Sequence, residues 1–250
     1  MTRRETHSDR VAVVTGGARG FGRAIGVELA RRGARVAIVD LGAADDVVRE
    51  IEAGGSKAIA VRADVSQPEQ VAAAGRQILS EFGKVDILVN NAGVIAVKDF
   101  WATDYEQWRR IQAINVDSQF LMTKAFVDSM REHRWGRIVN IASNTFTMVA
   151  PYLTAYIASK GGVIGFTRGL ANDLAPFGIT VNAVAPTASR TPGGQENIAP
   201  EVLEMSANMQ AIKRVGEAED IVGTVCFLSS DDAAFMTGQT LVPDGGFMRV

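Results

Sequence analysis

A tyrosine and a lysine stand four residues apart in Tyr156-Ile157-Ala158-Ser159-Lys160. At helical spacing both side chains share one face. An ammonium beside a phenol favours the phenolate, so a group with a reference pKa of about 10 can exchange a proton nearer neutrality. Alone, the pair fits many solvated helical faces. It becomes informative because Ser143 and Asn115 lie upstream and a glycine-rich turn lies near the start of the chain.

That turn is Gly16-Gly17-Ala18-Arg19-Gly20-Phe21-Gly22. It follows an apolar run, Arg10 to Thr15, that reads as a buried strand, and it precedes a helical pattern carrying Ile25, Leu29 and Ala30. Strand, glycine turn and helix together are the context of a dinucleotide fingerprint. The glycines let the backbone approach a pyrophosphate, and the helix N-terminus offers free N–H groups and the positive end of its dipole. The spacing is Gly-x-x-x-Gly-x-Gly. It puts Gly16, Arg19, Gly20, Phe21 and Gly22 against the cofactor.

A second strand, Arg35 to Asp40, ends in a carboxylate 18 residues beyond Gly22, close to the offset of a ribose-binding acid. Asp40 can accept a hydrogen bond from a ribose 2′-OH and would repel a 2′-phosphate. Arg19 pulls the other way, because a basic residue in the turn can pair with that phosphate. The repulsion is direct, an exposed arginine pair is worth little, and no Lys or Arg directly follows Asp40. NAD(H) is therefore expected over NADP(H), with Asp40 and Leu41 among its contacts.

The elements that must hold these groups alternate along the chain. Beyond Asp40 the pattern predicts a helix to about Ala53 and a strand from Lys57 to Arg62. Ser66-Gln67-Pro68-Glu69 reads as a capping box opening a helix that ends near Phe82-Gly83. Strands are expected at Ile87 to Val89, Arg137 to Ile141, Ile179 to Val184 and Thr240 to Val242. Helices are expected from Thr103-Asp104, through Phe126 and Met130, and from Leu153 to Ala175. Strands separated by helices imply right-handed crossovers and a parallel sheet covered on both faces. Thr15, Asp40, Asp64, Asn90, Ser143 and Pro186 fall at or past the carboxyl ends of the strands, where such sheets bind ligands.

Composition bounds the rest. The chain has 250 residues, 47% of them hydrophobic, enough for one large α/β core across residues 1–250. Residues 1–9 read as a polar tail without an apolar signal region. A net charge of −2 gives no case for nucleic acid or an anionic membrane, and no apolar run reaches membrane-spanning length. The single cysteine, Cys226, precludes an internal disulfide and reads as a buried small hydrophobe. The two histidines, His7 and His133, lie in the tail and in a charged segment, so no metal site is expected. These features together suggest a cytoplasmic protein.

Over essentially its full length the chain resembles the short-chain dehydrogenase/reductase family. The matching pieces are Thr15-Gly16-x-x-x-Gly20-x-Gly22, Asp64-Val65, Asn90-Asn91-Ala92-Gly93, Asn115, Ser143, Tyr156-x-x-x-Lys160 and the proline loop from Pro186. Within the family, Asn115 to Ser118, Phe120 to Met122, Trp135 to Ile138 and Thr237 to Leu241 resemble 1-phenylethanol dehydrogenase-like members. The resemblance implies a Rossmann-type doubly wound parallel sheet of about seven strands with helices on both faces. It implies that Tyr156 transfers the substrate proton, that Lys160 holds the nicotinamide ribose and lowers the Tyr156 pKa, and that Ser143 bonds the carbonyl oxygen. Asn115 is implied to hold a water linking Lys160 to solvent. Asp64 and Val65 would flank the adenine, and Asn90, Asn91, Ala92 and Gly93 would line the cofactor floor, with Asn91 partly structural. The family usually has Pro-Gly where this chain has Pro186-Thr187, so Thr191 is a better cofactor contact than Ser189.

Ile95, Val97, Phe146, Met148, Val149, Tyr152, Met205 and Met209 should line the substrate side, with residues 187–215 as a mobile lid. They favour an uncharged, hydrophobic ketone or secondary alcohol. An alternative is a 3-oxoacyl carrier-protein reductase using NADPH. Asp40 and the acidic Asn172-Asp173 oppose it, and Arg134 favours it. A remote alternative is an NAD-binding sensor without turnover. The helices around Asn115 to Met130 and Leu153 to Ala175 carry apolar residues on more than one face, which, with the resemblance, predicts a homotetramer.

Overall fold

A computed structural model of the protein describes residues 5–248. The chain alternates strand and helix: β1 (Val11–Thr15), α1 (Gly20–Arg31), β2 (Arg35–Asp40), α2 (Asp45–Ala53), β3 (Ala58–Arg62), α3 (Pro68–Phe82), β4 (Ile87–Asn90), α4 (Tyr105–Gln112), α5 (Ser118–Glu132), β5 (Gly136–Ile141), α6 (Thr154–Leu174) and β6 (Ile179–Val184). Beyond β6 come β7 (Ser189–Arg190), α7 (Pro192–Asn197), α8 (Pro200–Met209), β8 (Gly216–Glu217), α9 (Val222–Leu228) and β9 (Thr240–Leu241).

Seven strands form one parallel sheet in the order β3-β2-β1-β4-β5-β6-β9, and β7 pairs with β8 apart from it. Side chains alternate across a strand, and the core divides accordingly. Ala12 and Val14 of β1 pack with Ile25 and Leu29 of α1, Ile51 of α2 and Val225 of α9. Val11 and Val13 pack on the other face with Ile78 and Phe82 of α3 and Met122, Phe126 and Met130 of α5. This is the expected Rossmann-type α/β architecture. Because β1 sits between β2 and β4, the strand order reverses there, and the crevice in which such sheets bind ligands belongs beyond the carboxyl ends of β1 and β4.

Three local expectations are corrected. The helix α3 is capped by Gln67 without a side-chain bond, with Pro68 in its first turn. Ser66 turns away and donates to Asp64 Oδ1 at 2.7 Å, so the capping box does not form. Residues 5–9 are no free tail, because His7 is fully buried and its Nε2 lies 3.0 Å from Ser229 Oγ, while residues 1–4 lie outside the described residues. The helix α4 also does not stop before α5. The two are joined by a wider π-helical turn, Ala113–Asp117, with Asn115 at its centre.

Candidate active site

The glycine turn fits a dinucleotide diphosphate. Arg19 caps α1 in an extended conformation with no side-chain bond to the helix, and no acid occupies the first turn. The first N–H groups therefore face outward with the dipole's positive end, as an anion requires. Gly16 lies at φ +64°, in the left-handed region. A β-carbon on Gly22 would come within 2.2 Å of the Gly16 carbonyl oxygen, so no other residue closes this turn.

The turn is pinned from both sides. Asp40, at the end of β2, accepts from the Ala18 N–H at 2.9 Å and from the Gly42 N–H at 2.8 Å. Leu41 is exposed beside it, and its carbonyl accepts from Arg62 Nε at 3.0 Å. From β4, Asn91 Nδ2 donates to the carbonyls of Thr15 and Gly16 at 2.8 and 3.0 Å. Thr15 Oγ1 in turn accepts from the N–H groups of Asn91 and Ala92, each at 3.0 Å. Asn91 thus ties β1 to β4, the structural part expected of it. Asp64 accepts from the Ser66 N–H and hydroxyl through Oδ1, and Val65 beside it is buried. Phe21 is half-buried and packs on the core.

The proton-transfer candidates converge where β5 ends. Ser143 lies two residues past β5, and its oxygen accepts from the Thr145 N–H at 3.2 Å and the Thr145 hydroxyl at 2.9 Å. Both acceptor positions are used, so what Ser143 has left to give is its own proton, and that proton goes to the Tyr156 oxygen. Lys160 on α6 is buried and donates to the Ile141 carbonyl at 2.7 Å. Its ammonium lies 5.7 Å from the centroid of the Tyr156 ring. Burial lowers the Lys160 pKa to about 8. Burial raises the Tyr156 phenol above its ordinary value, and a hydrogen bond from Ser143 partly offsets this. The direction is upward, opposite to the lowering that the resemblance implies: burial raises the value and the Ser143 bond lowers it.

Asn115 serves as a clamp. Its Oδ1 accepts from the Val94 N–H at 2.8 Å, and its Nδ2 donates to the Val94 carbonyl and to Ser159 Oγ, each at 2.9 Å. Ser159 completes the link by donating to the Tyr156 carbonyl at 2.7 Å. The loop after β4 is thereby fastened to the turn of α6 that carries Tyr156. Gly93 lies over this junction, where a β-carbon would meet Asn115 Oδ1 at 3.3 Å and Lys160 Nζ at 3.5 Å. Behind it, Asn90 Nδ2 donates to Asn140 Oδ1 and Asn140 Nδ2 to Thr167 Oγ1, both at 2.9 Å, joining β4, β5 and α6.

The proline loop returns to the same rim. The Pro186 carbonyl accepts from the Asn144 N–H at 3.1 Å, and Thr187 Oγ1 lies 3.4 Å from Ser206 Oγ on α8. Ser189 is occupied with the Thr187 carbonyl at 3.0 Å, and Thr191 caps α7 by accepting from the Gly194 N–H at 3.1 Å. Of the residues expected on the substrate side, Val97, Phe146, Val149, Tyr152, Met205 and Met209 are all exposed. Phe146 also lies on α6, its ring 2.9 Å from where a β-carbon on Gly161 would stand.

Sequence reading missed several partners. Ser159 was within reach of it, being next to Lys160 in the same motif. Thr145 was also near, two residues from Ser143. Glu196, which forms an ion pair with Arg19, lies 177 residues from it and carries no local signal.

This arrangement, a dinucleotide crevice beside a Ser–Tyr–Lys group, defines an NAD(P)-type oxidoreductase. A family model described as enoyl-(acyl carrier protein) reductase matches residues 16–248. A 3-oxoacyl-[acyl-carrier-protein] reductase of Synechocystis is 39% identical, covering 96% of this chain and 97% of its own. A cyclopentanol dehydrogenase of Comamonas is 40% identical over the same shares. The crystal structure of levodione reductase superposes with a TM-score of 0.90 at 31% identity, covering 96% of this chain and 97% of that one. The protein belongs to the short-chain dehydrogenase/reductase family and is an oxidoreductase acting on CH–OH groups. Among the described residues no helix is long and apolar enough to cross a membrane.

Proposed function

We propose that this protein is an NAD(H)-dependent oxidoreductase that interconverts a hydrophobic secondary alcohol and its ketone. The observation that carries this reading is the placement of Tyr156 beside Ser143 and over Lys160, at the mouth of a crevice suited to a dinucleotide. The bound cofactor supplies hydride-transfer chemistry. Tyr156 gives its proton to the carbonyl oxygen in reduction and recovers one from the alcohol in oxidation. Ser143 turns its proton from the Tyr156 oxygen to the same carbonyl oxygen and steadies the developing alkoxide. Lys160 supports the phenolate and reaches toward the ribose, and Asn115 holds the loop and α6 in register. Asp40 selects the unphosphorylated ribose. The wider cofactor set, namely Gly16, Arg19, Gly20, Phe21, Gly22, Leu41, Asp64, Val65, Asn91, Ala92, Gly93, Pro186 and Thr191, rests on its placement around the crevice.

The apolar rim from Val97 to Met209, together with residues 187–215 as its cover, supports an uncharged substrate. Relatives named cyclopentanol dehydrogenase and levodione reductase point the same way. The Synechocystis relative favours a second reading, reduction of a 3-oxoacyl carrier-protein with NADPH. Asp40 and the exposed Asn172-Asp173 argue against it.

A homotetramer is part of the reading. The outer face of α6 presents Ala158, Gly162, Gly165 and Gly169, all exposed, and Phe120 of α5 is 53% exposed. Small residues in line let a second helix approach closely.

The test is a panel of ketones and secondary alcohols, with a 3-oxoacyl carrier-protein beside them, each assayed with NAD(H) and NADP(H). Preferred turnover of hydrophobic ketones with NADH is expected, and Asp40→Ala should weaken the cofactor discrimination by about 1–3 kcal/mol. Efficient turnover of the carrier-bound substrate with NADPH would replace this reading by the second.

A further inference from the structure

We propose that Glu196 is a cofactor-selecting residue: it occupies the guanidinium that a 2′-phosphate would need, and with the same bond it ties α7 to the glycine turn. The inference rests on the reading of the crevice as an NAD(H) site.

Arg19 is the cation of the glycine turn best placed to meet a phosphorylated ribose. Its NH1 donates to Glu196 Oε1 and its NH2 to Oε2 at 3.0 Å, so one carboxylate covers the end of the guanidinium as a fork. Both side chains are more than half exposed, at 58% and 53%. The Arg19 pKa is raised first by the Glu196 bond, and the charge of Asp40 adds to this, which places the guanidinium within the field of the ribose acid. Asp40 itself cannot swing away freely, because the Ala18 and Gly42 N–H groups hold both its oxygens. Two carboxylates thus face one cation, and a 2′-phosphate would bring further negative charge to a place where the positive charge is already matched. To recruit Arg19 it must displace Glu196.

A second contact brings α7 to the turn independently of the ion pair. A β-carbon on Gly20 would lie 3.6 Å from Thr191 Cβ and 3.7 Å from Pro192 Cδ. The start of α7 therefore packs on the phosphate cradle, and Glu196 fastens the helix nearer its other end. Cofactor choice and the seating of α7 share one bond.

The experiment measures equilibrium binding of NADH and NADPH by fluorescence to wild type, E196Q, R19A and the double variant. Gln keeps the size of Glu and removes its charge. E196Q should tighten NADPH binding by roughly 3–10-fold and leave NADH within about 2-fold, the scale of one exposed charge pair exchanged for another. The gain should vanish in the R19A background. It should also shrink at high salt, which screens exposed charges. Without cofactor, E196Q should be cut faster by protease within residues 187–215. Unchanged NADPH affinity in E196Q, or an equal gain without Arg19, overturns the selecting role. Unchanged proteolysis overturns the tie. If the wild type itself binds NADPH better than NADH, the NAD reading fails, while the effect of Glu196 is still read from the ratio of E196Q to wild type.

Discussion

The chemistry of the site narrows to one hydroxyl. Tyr156→Phe keeps the ring over Lys160 and removes the exchangeable proton. Ketone reduction should fall by ~10²–10⁴-fold, the range of general acid catalysis, with NADH binding little changed. Steady-state rates and fluorescence titration check both parts, and near wild-type turnover would remove Tyr156 from the role. The pH profile follows from burial. The phenol is pushed upward, so it stays protonated through neutrality, whereas Lys160 gives up its proton at about 8. Reduction should be level through neutral pH and decline beyond the Lys160 transition; a rate that climbs through that transition contradicts the assignment. Residue types and spacing made these groups legible in the chain. Their proton affinities were not legible, because desolvation depends on what covers a side chain, and the covering residues come from β5, α6 and the loop after β4.

At the scale of elements, local patterns carried far. The continuous buried runs of β1, β2 and β6 and the left-handed Gly83 after α3 were set by neighbours in sequence, and the sheet was readable from them. Features made by distant contacts were hidden. The π-helical turn at Asn115 answers to Val94 and Ser159, and the N-terminal turn answers to Ser229, which lies 222 residues from His7. That last contact has a consequence for stability. Burial, chiefly, and then Arg32 and Arg10 lower the His7 pKa from 6.5 to about 4. Between those values the unfolded chain binds the proton and the folded one does not. The contribution of neutral His7 is complete above pH about 6.5 and is lost as pH falls toward about 4. It amounts to about 3 kcal/mol at most, taking 1.36 kcal/mol per pKa unit. Urea unfolding across this window should show wild type losing stability faster than His7→Gln. Parallel losses would mean that other groups dominate the acid limb.

At the scale of the whole molecule, the question is what covers α6. Its inner face carries Lys160, Val163, Ile164 and Thr167 against the sheet, whereas Ala158, Gly162, Gly165 and Gly169 form an exposed outer line. Glycine inside a helix costs about 0.5–1 kcal/mol relative to alanine, so the three glycines on this face weaken α6 unless a close neighbour compensates. A second α6 laid across this face would supply that neighbour, and the helix that positions the proton donor would then also join subunits. No atom lies within 4 Å of where a β-carbon on Gly165 would stand, so a larger side chain fits the isolated chain. Gly165→Lys should therefore fold with the same helical content by circular dichroism while losing at least one step of assembly by light scattering. Activity should fall with assembly if the packed pair steadies Tyr156 and Lys160, and the loss should show in kcat more than in NADH binding. A wild type that is monomeric at micromolar concentration, or a Gly165→Lys variant of unchanged mass, would show that this face is not the subunit contact.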